Sequence, residues 1–106
     1  MGKILDLAQF VQDPLAVKLL DGRVLNLNKA TQKMAIKIMA FKSIDDKTSP
    51  EQILAALNDI IFLILNNNVE GEKIARNEVQ NMPDEAKVAL LSEYAKYTQG
   101  VQSAPN

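Results

Sequence analysis

The chain contains no His, Cys or Trp. Three common sources of nucleophiles, proton shuttles and metal ligands are therefore missing, and acid–base work would fall to a carboxylate or lysine of shifted pKa. Two adjacent acid pairs, Asp45-Asp46 and Asp84-Glu85, are the nearest approach to such a group. Sequence neighbours do not converge on one atom, so the first pair reads as a solvated loop and the second as the opening of a helix. Neither a phosphate-loop pattern nor a Gly-rich dinucleotide fingerprint is present. No enzyme activity, catalytic residue, metal or cofactor is expected.

Two charged features remain. Asp59 stands among Leu57, Ile60 and Ile61. It either marks a solvent-facing helix side together with Asn58 or makes a buried polar contact that fixes the register of a partner helix. An unchanged oligomeric state after Asp59→Ala would exclude the second. Lys29, Lys33 and Lys37 recur every four residues and line one helix side. No Arg cluster or interleaved aromatic accompanies them, so they read as a solvated face and nucleic acid is not an expected partner.

The elements that carry these residues centre on positions 53–65, Ile-Leu-Ala-Ala-Leu-Asn-Asp-Ile-Ile-Phe-Leu-Ile-Leu. Ser49-Pro50-Glu51-Gln52 predicts a helix start, with Ser49 as N-cap, Pro50 at the first helical position and Gln52 completing a capping box. Asn66-Asn67-Asn68 predicts its stop, since Asn tolerates left-handed conformations. Ile53, Leu57, Ile60, Ile61, Ile64 and Leu65 form one stripe, while Leu54, Phe62 and Leu63 fall outside it. A helix apolar nearly all round must be enclosed on several sides. The expectation is that this short chain needs a partner or a second copy to finish the enclosure.

Residues 15–28 predict a β-hairpin around Asp21-Gly22. A turn at Leu20-Asp21 with Gly22 in the left-handed bulge position pairs Leu19 with Arg23, Val17 with Leu25 and Leu15 with Leu27. Only this register places Leu15, Val17, Leu19, Leu25 and Leu27 on one face. A lone two-stranded hairpin is marginal in water, so that face must dock on a helix or on another copy's strands.

Residues 3–11 suit a short helix or the start of a strand, ended by Asp13-Pro14. A helix is expected from Asn28 or Lys29 to Ile44, capped by Asn28 or Thr31. Its inner face is Met34, Ala35, Ile38 and Phe41, widened by Ile36, Met39 and Ala40. Residues 72–81 predict a polar helix with Ile74, Val79 and Ala75 inward. Pro83 opens a last helix, in which Val88, Leu91 and Ala95 form one row, Leu90, Tyr94 and Tyr97 another, with the tyrosines at the margin. Gly100 ends it, leaving a flexible tail over residues 99–106. The whole is an α+β domain over residues 1–98, mostly helical, with an N-terminal hairpin followed by about four helices.

A length of 106 residues, 47% apolar and 24% charged, suits one folded core and excludes a disordered chain. Residues 1–10 hold Lys3 and Asp6 and no long apolar core, so no signal peptide is expected. The longest uncharged apolar run, residues 60–65, is too short to cross a bilayer. A cytoplasmic protein without a membrane partner is expected. The net charge of −1 conceals an asymmetry: eight Lys or Arg against five acids up to Lys47, then four against eight. Such a split is either scattered solvation charge or a basis for head-to-tail self-association.

The order of Val-Lys-Leu-Leu-Asp-Gly-Arg-Val-Leu-Asn-Leu (17–27), an amphipathic helix, Ser-Pro-Glu-Gln (49–52), Ile-Leu-Asn-Asn-Asn (64–68) and a close near Tyr94 and Tyr97 resembles the small tail assembly chaperones of long-tailed bacteriophages and prophages. The resemblance implies a non-enzymatic protein of the bacterial cytoplasm. Several copies would coat the tape-measure protein and assist assembly of tail-tube subunits around it. It also implies a longer form made by ribosomal frameshifting. The residues themselves supply the candidate contact surface: Leu15, Val17, Leu19, Leu25 and Leu27 of the hairpin, Phe62 and Leu63 of the central helix, Tyr94 and Tyr97 of the last. A homo-oligomer is expected. Met34, Met39 and Met82, beside Phe41 and Phe62, either fill core gaps or give a surface that adapts to apolar partners.

Overall fold

The computed structural model describes residues 4–7, 13–44 and 47–98. Two strands, β1 (Leu15–Lys18) and β2 (Val24–Leu27), precede four helices: α1 (Gln32–Lys42), α2 (Pro50–Asn66), α3 (Arg76–Gln80) and α4 (Asp84–Thr98). The architecture is α+β and mostly helical. None of the described helices is long and apolar enough to cross a membrane.

The hairpin takes the bulged register. Leu15 pairs with Leu27 and Val17 with Leu25, and the Leu19 N–H donates to the Arg23 carbonyl at 2.7 Å. Gly22 adopts φ +96°, which an L side chain rarely reaches. Leu25 and Leu27 enter the core, whereas Leu15, Val17 and Leu19 are half-buried. The face docks within its own chain, on α2.

α2 begins with the capping box: the Gln52 N–H donates to Ser49 Oγ at 3.2 Å and the Ser49 N–H to Gln52 Oε1 at 3.4 Å. Leu57, Ile60, Ile61, Ile64 and Leu65 are buried against β2, α1, α3 and α4. Each such aliphatic side chain stabilises the fold by about 1.5–3 kcal/mol relative to exposure. Phe62 and Leu63 are half-buried, and Leu54 is 40% exposed. The chain therefore encloses most of α2 by itself, and the uncovered apolar surface lies elsewhere.

The stop after α2 works differently from the sequence expectation. No residue other than glycine has positive φ among those described, and the left-handed turn falls at Gly71, φ +73°. The three asparagines act through their amides. Asn66 Nδ2 donates to the Phe62 and Ile74 carbonyls (2.8 and 3.1 Å) while its Oδ1 accepts the Ile74 N–H at 2.9 Å. Buried Asn68 donates to the Leu65 and Glu72 carbonyls (2.7 and 2.9 Å) and accepts the Glu72 N–H at 2.8 Å. These bonds hold residues 71–75 outside any helix, which is why the helix expected over 72–81 shrinks to α3. Ile74 and Val79 are buried as expected, but Ala75 is exposed.

Several further departures trace to long-range hydrogen bonding. α1 starts at Gln32 under a Thr31 cap. Asn28 is already engaged: its N–H meets the Asn67 carbonyl at 2.8 Å, and its carbonyl accepts the Tyr94 hydroxyl at 2.6 Å. Tyr94 is consequently wholly buried rather than marginal. Asn58 is half-buried because it accepts from Nζ of Lys87, a buried cation, at 2.7 Å. Asp59 faces solvent, as one of its two expected roles requires, and pairs with Arg76 at 2.6 Å. Ile36, Met39 and Val88, expected inward, are 60%, 66% and 56% exposed, and Ala40 is exposed too. Of the segment 3–11, only residues 4–7 are described, without α-helix or strand. The remainder, Asp45-Asp46 and the expected tail over 99–106 lie outside the described residues.

Candidate protein-binding groove

The hairpin turn is held by a guanidinium. Arg23 donates from Nε to Asp21 (2.8 Å), from Nη1 to Glu72 (3.0 Å) and from Nη2 to Glu78 (2.5 Å). The bond to Glu78 is the main reason that the Arg23 pKa is raised. The Asp21 carboxyl is held below its ordinary value, first by the Arg23 backbone N–H it accepts at 3.0 Å. The turn is thereby fastened to α3 and to the segment leading into it.

Beneath this clasp is a cavity of about 300 Å³ between the hairpin and the α3–α4 corner. Val17 of β1, Leu19 just beyond it and Met82, ahead of α4, give it apolar walls. The nearly buried Leu65, Ile74 and Leu90 form its base. Lys18, Asp21, Arg23, Glu78 and Asn81 supply a polar border, and Leu20, 70% exposed, stands at the mouth. An apolar concavity with a polar border is the form taken by sites for apolar side chains of a partner. Its volume suits a few side chains rather than a folded domain. β1 has a partner strand on one side only among the described residues. The opposite edge of β2 is closed: Val69 N–H donates to the Asn26 carbonyl at 2.8 Å, and Leu27 bridges Asn68.

Only Val17 and Leu19 of the nine candidate contact residues line this groove. Leu25, Leu27 and Tyr94 are core residues, 2%, 0% and 0% exposed, and present no surface to a partner. Leu15 and Leu63 pack half-buried against the core. Phe62 is covered by the Arg76 guanidinium, 4.4 Å above its ring centre. Tyr97 is half-buried, 6.0 Å from the Tyr94 ring, and donates to the Asp13 carbonyl at 2.8 Å. Burial raises the pKa of both tyrosines. Met82, Ile74 and Leu90 are contributors that sequence reasoning did not assign to the site. Met82 carried a signal, an adaptable side chain just before Pro83, but nothing local tells which elements it faces.

No protein-family profile, curated protein or solved structure matches the chain. Its functional reading therefore rests on the groove and on the layout of its elements. Among the described residues, no group of three His, Cys, Asp or Glu side chains comes together to hold a metal ion. Around the groove, Arg23 is committed to the three carboxylates that face it.

Proposed function

We propose that the chain is a tail assembly chaperone of a long-tailed bacteriophage or prophage, working in the bacterial cytoplasm by binding rather than catalysis. Its groove takes apolar side chains from the tape-measure protein, keeps that protein soluble and assists assembly of tail-tube subunits around it. Nucleic acid and membrane have no part in this reading. The observation that carries it is the groove of about 300 Å³, apolar at base and walls, beneath a strand whose outer edge has no partner strand among the described residues. An open edge adds backbone hydrogen bonds to an extended segment, while alternate side chains fill the pocket. Many weak sites along one long partner gain from effective concentration, so no single contact must be tight.

Co-expression tests the reading. The tape-measure protein encoded alongside this chain should be soluble and co-purify with the wild type, but not with Leu19→Asp, which places a carboxylate in the groove wall. Equal solubility with and without the chain would refute it. A second reading, a small helical adaptor acting through oligomerisation, is favoured by the exposed Ile36, Met39 and Val88.

A further inference from the structure

Asp21-Gly22 is the chain's only Asp-Gly step, and no Asn-Gly step occurs. An aspartate before glycine sets an electrophile beside a nucleophile: the side-chain carboxyl carbon and the next backbone nitrogen. Glycine lacks the side chain that shields this nitrogen elsewhere, and its wide φ range lets the nitrogen turn toward the carboxyl. Water has free access, since Gly22 is exposed and a Cβ built on it would meet nothing within 4 Å.

The fold withholds both reacting groups. The Gly22 N–H donates to the Leu19 carbonyl at 3.0 Å, which closes the turn. The Asp21 carboxylate reaches past Gly22 to Arg23, Oδ1 accepting the backbone N–H at 3.0 Å and Oδ2 accepting Nε at 2.8 Å. Those bonds favour the ionised form, whereas ring closure needs the neutral acid, whose hydroxyl can leave as water. The other guanidinium nitrogens hold the arrangement to Glu72 and Glu78. These side chains are 36–55% exposed, so the restraint consists of ion pairs that are individually weak.

We propose that Asp21-Gly22 is a site of spontaneous isoaspartate formation that the turn and the Arg23 clasp hold in check. When both open, the Gly22 nitrogen bonds to Asp21 Cγ, and the carboxyl hydroxyl departs with the amide proton as water, leaving a cyclic succinimide. Water then adds back. Breaking the new N–Cγ bond restores aspartate; breaking the original bond to the Asp21 backbone carbonyl carbon gives isoaspartate. No oxidant or reductant is consumed. The isoaspartyl backbone runs through Cγ, one methylene longer, and its free carboxylate sits on Cα. The bulged turn and the two bonds from Asp21 to Arg23 then no longer fit together, so a reversible opening becomes a permanent loosening of the hairpin from α3. This inference does not rest on what occupies the groove.

Peptide mapping of the intact chain tests it, after incubation in buffer and in guanidinium chloride at the same neutral pH. Trypsin cleavage after Lys18 and Arg23 releases residues 19–23, whose aspartyl and isoaspartyl forms separate by chromatography at equal mass. Isoaspartate should accumulate at position 21 about tenfold or more slowly in the folded chain, because hydrogen bonds must break first. Gly22→Ala should slow the reaction in the denatured chain, where its effect on folding is irrelevant. Arg23→Gln, shown to be folded by circular dichroism, should react about fivefold faster than the folded wild type. Should that variant not fold, the wild-type comparison between buffer and denaturant decides. Equal rates in the two conditions, no isoaspartate at position 21 in either, or a folded Arg23→Gln that reacts no faster than the wild type would each overturn the inference.

Discussion

The Tyr94 hydroxyl donates to the Asn28 carbonyl at 2.6 Å across 66 residues of sequence, and accepts from the Asn67 amide at 3.3 Å. One phenol thus ties α4 to the ends of β2 and α2, the three elements that set the hairpin over its helical base. Tyr94→Phe removes the hydrogen bonds of a buried phenol, which costs about 0.5–1.5 kcal/mol. Urea denaturation should show a lower midpoint with an unchanged slope.

Lys87 is 1% exposed, with Asn58 Oδ1 at 2.7 Å and Asp84 Oδ1 at 3.6 Å. Hydrogen bonds to charged groups contribute more than neutral ones, so Asn58→Ala should cost about 1.5–3 kcal/mol. Lys87→Met combined with Asn58→Leu replaces the buried polar pair by apolar groups of similar size and should lie within about 1 kcal/mol of the wild type. A double variant no more stable than Asn58→Ala would show that apolar packing cannot replace the charged hydrogen bond from Lys87 to Asn58. Thermal denaturation distinguishes the outcomes.

The pH profile of stability should fall at both ends. The Asp21 and Glu70 carboxyls are held below their ordinary values by Arg23 and Asn26, respectively. Their contribution is complete above the unfolded carboxylate pKa, about 4, and disappears as pH falls through the lowered native values. Tyr94 is raised by burial. The native state then holds its proton more tightly than the unfolded state. Stability is complete below the ordinary tyrosine pKa of about 10 and declines as pH rises through the higher native value. In Tyr94→Phe the alkaline decline should be smaller.

Gly22→Ala isolates a backbone effect. A Cβ there meets nothing within 4 Å, so no clash accompanies the substitution. The φ of +96° alone penalises an L residue, by about 1–2 kcal/mol. A loss of that size in chemical denaturation, with an unchanged hairpin, is expected.

What the sequence reveals here depends on how local the determinant is. The Ser49 capping box and the hairpin register are readable because each follows from a few neighbouring residues and one period. The ends of α1 and α3 are not, because Asn28, Asn66 and Asn68 spend their groups on partners far along the chain. The apolar excess of residues 53–65 correctly signals a segment that must be wrapped, yet α1, α3, α4 and β2 of the same chain supply most of the wrapping. What stays exposed is Ile36 and Met39, which sequence periodicity places inward. The groove was half legible: Val17 and Leu19 follow from alternation, but Met82, Ile74 and Leu90 join them only through the tertiary fold.

The most direct test of the binding account uses the absence of cysteine. An environment-sensitive dye on Ala86→Cys, in the groove lining, is titrated with the tape-measure protein; a second sample carries the dye on Glu51→Cys at the exposed start of α2. The account requires a saturable blue shift at position 86 and none at position 51. A partner that binds with no change at position 86, or with equal change at both, would contradict it.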